Sequence, residues 1–292
     1  MKFGIIGNLG KQGLCGAVTV LADHLEKAGM EYLMDASIVR LLKQEGREIP
    51  AARAATPEQC ARASDMLVAF GGDGTMLAAA RLVGDTGTPI LGVNLGKLGF
   101  LAELSPDELK QELVDIVQKN YIIEERMVLK ATSPQMADRA LYGLNDIVIH
   151  KSRSPRVIDL EVSVDTVSAV TYRCDGVVVS TPTGSTAYAL SNGGPIVIPS
   201  SNVIGITPIS PHTLNGRPLI LPGSSTIRVV AESDSEELLV SADGQEEAFV
   251  KPRVEVEIKR ADYTIRLVKR KDRSYFDVLR AKLLWGKVAT SI

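Results

Sequence analysis

Aromatic residues make up only 4% of this chain, and histidine and cysteine occur three times each. Sparse aromatics argue against a single-strand nucleic-acid binder, which stacks bases on aromatic rings. Cys15, Cys60 and Cys174 are far apart and form no CxxC pair. Their odd number and spacing argue against a disulfide framework and a cysteine zinc site; the expectation is three reduced thiols in a cytoplasmic protein. His24, His150 and His212 are too dispersed to suggest a zinc site. Charge of one sign is missing too: 33 Lys and Arg against 35 Asp and Glu leave a net charge of −2. No broad basic surface, and so no nucleic-acid partner, is expected. No run of about 18 apolar residues is present, so no membrane span is expected. The early apolar run FGIIG is too short for a signal-peptide core. Two nucleotide signatures are missing as well: the segment GNLGKQG at 7–13 is not GxGxxG, and no GxxxxGK followed by Ser or Thr occurs.

What is present is ordinary globular material, 45% apolar and 23% charged over 292 residues. At roughly 150 residues per domain that length suggests two domains. Residues 1–125 alternate short apolar runs with helical patterns. KFGII, MLVAF and TPILGVN read as buried strands; Val18–Ala28, Ala36–Gln44 and MLAAARLV read as helices. Ser105-Pro106-Asp107-Glu108 starts another helix, expected to reach Asn120. The alternation predicts an α/β domain with a parallel sheet. From 126 to 272 strand patterns dominate, among them IVIH, VIDLEVSV, GVVVS, TIRVVA, VEVEIKR and YTIRLV. They predict a second, mostly β domain. The tail 273–292 turns helical again and is expected to return to the first domain.

Three segments carry chemistry. Gly71-Gly72-Asp73-Gly74-Thr75 lies between a predicted strand and a predicted helix. Glycines there allow close backbone approach to an anion, and a helix N-terminus suits phosphate. Asp73 beside such a site fits a group that takes a proton or holds a metal in phosphoryl transfer; a tight turn with an Asp cap fits equally. Asp175-Gly176 leads through VVVS into a loop rich in hydroxyls and glycine, Thr181 to Gly194. That loop offers donors to a sugar–phosphate ligand and Tyr188 to a ring, or is a polar surface loop. Asn145-Asp146, ahead of the apolar run IVI, has the groups to read a base or ribose, though a turn before a strand explains it too. Asp243-Gly244 in isolation is a hairpin turn. The basic run KSRSPR at 151–156 reads as a solvated loop.

Together these segments resemble the NAD kinase family. GGDGT is shared with a wider group of kinases. LGKLGFL at 95–101, Asn145-Asp146, DGVVVSTPTGSTAYALSNGGPIV at 175–197, TPISPHTLNGRPLILP at 207–222 and SADG at 241–244 are more particular, and they stand in the family's order. The resemblance implies an α/β domain followed by a β-sandwich-like, NAD-binding domain. It implies transfer of a phosphoryl group from ATP, or polyphosphate, to the 2′-hydroxyl of the adenosine ribose of NAD. It also implies Mg²⁺ or another divalent cation, no metal-ligating side chains that can be named, and a homodimer or homotetramer. Carried residue by residue, it makes Asp73 the catalytic base, with Gly72, Gly74 and Thr75 beside the substrate. Phe100 stands near the adenine, and Asn145 and Asp146 bind the adenosine part. Asp175 contacts the nicotinamide half. Thr186, Ala187, Tyr188 and Ser191 line the dinucleotide, Arg173 reaches a phosphate across a subunit interface, and Asp243 lies near the ligand.

Two other readings compete. One is another kinase of the wider GGDGT group, acting on a lipid or on a sugar phosphate; a lipid kinase calls for an amphipathic membrane-facing surface, and no such stretch occurs. A non-catalytic dinucleotide binder has no use for Asp73 beside a phosphate.

Overall fold

The computed structural model describes residues 1–96, 99–137, 139–212 and 216–283. The chain forms two compact units, Met1–Glu125 with the chain from Ile265 onward, and Arg126–Thr264. The return to the first unit thus begins at Ile265, inside the last strand, rather than at Arg273.

The first unit runs β1 (Lys2–Gly7), α1 (Leu14–Lys27), β2 (Glu31–Asp35), α2 (Ala36–Gln44), β3 (Ala54–Ala55), α3 (Pro57–Arg62), β4 (Met66–Gly71), α4 (Asp73–Val83), β5 (Ile90–Asn94) and α5 (Pro106–Val117). Strands β5, β4, β1, β2 and β3 are neighbours in that order, and all pair parallel. Every residue of β4 and β5 is buried, as the continuous apolar runs required. The sheet packs on Val18, Leu21 and Leu25 of α1 and Leu109, Leu113 and Ile116 of α5. Helix α5 opens with a capping box between Ser105 and Glu108. It stops at Val117 rather than Asn120 because Lys119 turns left-handed (φ 58°), and the Asn120 N–H reaches back to the Asp115 carbonyl at 2.7 Å. Helix α1 starts at Leu14, four residues before the apolar periodicity suggested, straight after left-handed Gly13. Strand β2 and helix α3 gave no clear periodic signal and come from the structure alone.

The second unit contains most of β6 (Ile122–Thr132), then β7 (Leu141–Gly143), β8 (Asp146–Lys151), β9 (Ile158–Val164), β10 (Val167–Cys174), β11 (Gly176–Ser180), the short α6 (Tyr188–Ser191), β12 (Val203–Ile209), β13 (Leu219–Pro222), β14 (Ile227–Glu232), β15 (Leu238–Ala242), β16 (Glu246–Val250) and the start of β17 (Val254–Lys269). One antiparallel sheet has the order β13-β12-β11-β8-β15-β16, and β10, β9, β14 and β17 form a second antiparallel run. Ile147, Ile149, Val177, Val179 and Val240 from the first sheet share a core with Leu160, Val162, Val229 and Val256 from the second. Alternation along each strand supplies that shared face. VEVEIKR and YTIRLV are one strand, β17, because the residues joining them stay extended. Its last part pairs parallel with β5 in the first unit through Leu267 and Ile90. Helix α7 (Tyr275–Leu283) follows in the first unit; the rest of the expected helical tail, 284–292, lies outside the described residues. Among the described residues no helix is long and apolar enough to cross a membrane.

Candidate active site

Two constellations hold the residues singled out by the sequence, one in each unit. In the first unit β4 ends at Gly71, Gly72 caps α4 in extended conformation, and Asp73 is the first residue of the helix. Gly71 has a packing reason: a Cβ there would collide with the Thr75 side chain. A Cβ at Gly72 would meet nothing within 4 Å, so the fold does not require that glycine for space. The Asp73 carboxylate accepts the backbone N–H of Phe100 at one oxygen and that of Leu101 at the other, both at 3.0 Å. Gly99 lies so close that a Cβ would overlap the carboxylate. Three residues of the LGKLGFL segment therefore serve Asp73 through their backbone; Lys97 and Leu98 of that segment lie outside the described residues. The Phe100 ring is half-buried, with the Lys282 ammonium 5.6 Å from its centroid. An ionised carboxylate has about four lone-pair sites. Two N–H bonds fix Asp73 and leave capacity to take a hydroxyl proton.

The second constellation is a concave pocket of about 360 Å³ on the outer face of the six-stranded sheet. Its floor follows from strand alternation. Ile147 and Ile149 of β8 point into the core, so Asp146, Val148 and His150 point the other way. On β15, Leu239 and Ser241 stand opposite His150 and Val148 and share that outer face. Ala187 and Tyr188 line the same pocket, as do Asn145, Asp243 and Gly244.

Backbone hydrogen bonds hold these walls together. Asp243 sits left-handed (φ 54°) in the β15–β16 hairpin, followed by left-handed Gly244. Its carboxylate accepts from the N–H groups of Leu144 (2.9 Å), Asn145 (2.7 Å) and Asp146 (3.1 Å). Thr181 donates its N–H to the Asn145 carbonyl and its hydroxyl to the Leu144 carbonyl. Gly184 lies against the Asn145 carbonyl with no space for a side chain. Thr183 accepts a hydrogen bond at 3.2 Å from Arg126, a guanidinium only 3% exposed. Burial, and then the negative charge of Asp243, push the carboxyl of Asp146 up to about 7.

The structure brings Asn145, Asp146, Ala187, Tyr188 and Asp243 around one pocket. Thr186, whose hydroxyl donates to the Thr183 carbonyl, and exposed Ser191 flank it without lining it. Asp175 pairs with Lys151 at 2.6 Å, which gives the first residue of KSRSPR a partner; Arg173 is exposed on β10. Sequence reading missed Gly99 and Leu101 beside Asp73, and His150, Leu239 and Ser241 on the pocket floor. It also missed Arg126 behind the pocket wall, whose partner Thr183 lies in the hydroxyl-rich loop that the sequence singled out. Alternation along β8 and β15 marked the floor residues. Nothing local marks Arg126, because the turn it holds lies 57 residues away.

This architecture, an α/β unit carrying GGDGT and an antiparallel β unit carrying a pocket, defines a class of kinase. The model for the ATP-NAD kinase N-terminal domain matches residues 3–121, and that for the ATP-NAD kinase C-terminal domain matches 144–270. The NAD kinase of Bacteroides fragilis is 41% identical over 287 residues, covering 98% of each chain. That of Geobacter sulfurreducens is 42% identical over 274 residues, covering 93% of this chain and 94% of its own. Among solved structures, yeast NADH kinase complexed with NADH superposes with a TM-score of 0.90 at 25% identity, covering 100% of this chain and 90% of its own. An NAD kinase from Archaeoglobus fulgidus in complex with ATP gives 0.76 at 27% identity, covering 96% and 99%. The chain belongs to the NAD kinase family.

Proposed function

We propose that this protein transfers the terminal phosphoryl group of ATP to the 2′-hydroxyl of the adenosine ribose of NAD, giving NADP. Family membership carries the reaction, NAD to NADP. The placement of Asp73 carries its role: a carboxylate at a helix start, fixed by two backbone N–H groups. A ribose hydroxyl is a poor nucleophile at neutral pH, and a carboxylate in hydrogen-bond reach accepts its proton as the bond to phosphorus forms. Phosphoryl transfer asks for little covalent help beyond alignment and charge stabilisation. We assign the adenosine half to the pocket of Asn145, Asp146, Tyr188 and Asp243, with Thr186, Ala187 and Ser191 along the dinucleotide. Gly72, Gly74, Thr75 and Phe100 stay assigned to the substrate beside Asp73, Asp175 to the nicotinamide half and Arg173 to a phosphate.

The reaction also calls for a divalent cation. Among the described residues no group of three or more His, Cys, Asp or Glu could hold a metal ion. Mg²⁺ that arrives on the phosphates of ATP, its usual mode of binding, needs no such group of side chains. There it would neutralise charge on the transferring group. Family resemblance further supports a homodimer or homotetramer, and three buried free cysteines fit a cytoplasmic setting.

The test is purified protein with NAD, ATP and Mg²⁺, with NADP read by an NADP-specific dehydrogenase. NADP formation is expected. No NADP from folded protein, with ATP or polyphosphate, would overturn the proposal.

A further inference from the structure

Residues 99–104 carry the two N–H groups that hold Asp73, so whatever fixes this segment fixes the carboxylate. Its far end is anchored on β5, where the Gly92 carbonyl accepts the N–H groups of Glu103 and Leu104, both at 3.1 Å. Leu101, Ala102 and Leu104 are buried. Glu103 stands among them at 4% exposure, a charged residue in an apolar row. The end of β17 engages both oxygens of its carboxylate. Lys269 Nζ donates to one oxygen at 2.7 Å, and the Arg270 N–H to the other at 3.2 Å. The Arg273 guanidinium donates to the Glu103 carbonyl at 2.8 Å. Lys269 is itself only 11% exposed. A buried ion pair of this kind commonly adds less stability than well-packed apolar residues of the same volume. What it supplies is a defined geometry, and here the geometry is that of the segment two residues after Leu101.

We propose that Glu103 is a positioning residue for phosphoryl transfer, acting with Lys269 and the Arg270 backbone. Through them the returning chain holds residues 99–104, and these hold the Asp73 carboxylate in its working orientation. This rests on the assignment of Asp73 as the base. Misplacement of a reacting group by about 1 Å can cost on the order of 100-fold in rate.

Two variants test it, Glu103→Gln and the double change Glu103→Leu with Lys269→Met. The double variant removes both charges together and leaves none buried alone, so it is expected to stay folded. The readouts are kcat, KM for NAD, Tm, and amide exchange at Phe100 and Leu101. In the double variant kcat is expected to fall about tenfold or more, with Tm and KM near wild type and faster exchange at both amides. Wild-type kcat and exchange in the folded double variant would overturn the proposal. So would a loss of kcat matched by equal losses in Tm and NAD affinity. If the wild type itself makes no NADP, the assigned reaction fails, and the amide exchange still decides whether Glu103 braces the segment.

Discussion

The Asp243 carboxylate accepts the backbone N–H of Asn145 at 2.7 Å, across 98 residues of sequence. With the N–H groups of Leu144 and Asp146 it makes a three-point clamp on the corner where β8 begins. The turn residue is therefore also the support of the pocket wall.

Removing that support leaves three N–H groups without their acceptor. Hydrogen bonds to charged groups are each worth about 1.5–3 kcal/mol. Asp243→Ala is expected to lower stability by about 3 kcal/mol or more, read by urea unfolding, and to weaken NAD binding. Asp243→Asn keeps a residue tolerant of the left-handed turn and should lose less of both.

Asp146 makes the pocket sensitive to pH. Its carboxyl is pushed up to about 7, far above the ordinary carboxylate value. Between the unfolded value near 4 and this folded value, the native state keeps a proton that the unfolded chain has released. Asp146 thus contributes stability that is full below about pH 4 and is lost as pH rises through about 7. Asp146→Asn should flatten the fall of Tm over that window. Asp243→Asn removes a negative charge that helps to raise the Asp146 value, so it should move the fall to lower pH. A Tm series at several pH values checks both variants.

Gly99→Ala probes the other constellation. The added Cβ would overlap the Asp73 carboxylate and displace it. Because the displaced group is a side-chain tip rather than backbone, the fold should survive while kcat falls by about 100-fold. Steady-state kinetics beside a thermal melt separate the two effects.

Much of this was legible in the sequence where the signal was local. MLVAF before GGDGT gave a buried strand leading into a helix, and Ser105-Pro106-Asp107-Glu108 gave a cap that the structure forms. The ordered motifs gave the family. What stayed hidden was tertiary. By itself Asp243 read as a turn residue, and only the resemblance put it near the ligand; its clamp on Leu144, Asn145 and Asp146 stayed hidden because those partners lie about 100 positions earlier. Glu103 gave no signal because its partners, Lys269 and Arg270, lie at the far end of the chain. His150 read as the end of an apolar run, and only the sheet register places it opposite Leu239 on the pocket floor.

In the proposed reaction Asp73 takes the proton from the ribose hydroxyl. Asp73→Asn keeps the size of the side chain and removes its basicity. Measured beside the wild type with NAD, ATP and Mg²⁺, it should stay folded and bind NAD, with a lower Tm because its amide NH₂ faces one of the two backbone N–H groups, and with kcat lower by about 10²–10⁴-fold. Wild-type NADP formation by a folded Asp73→Asn protein would show that Asp73 is not the base.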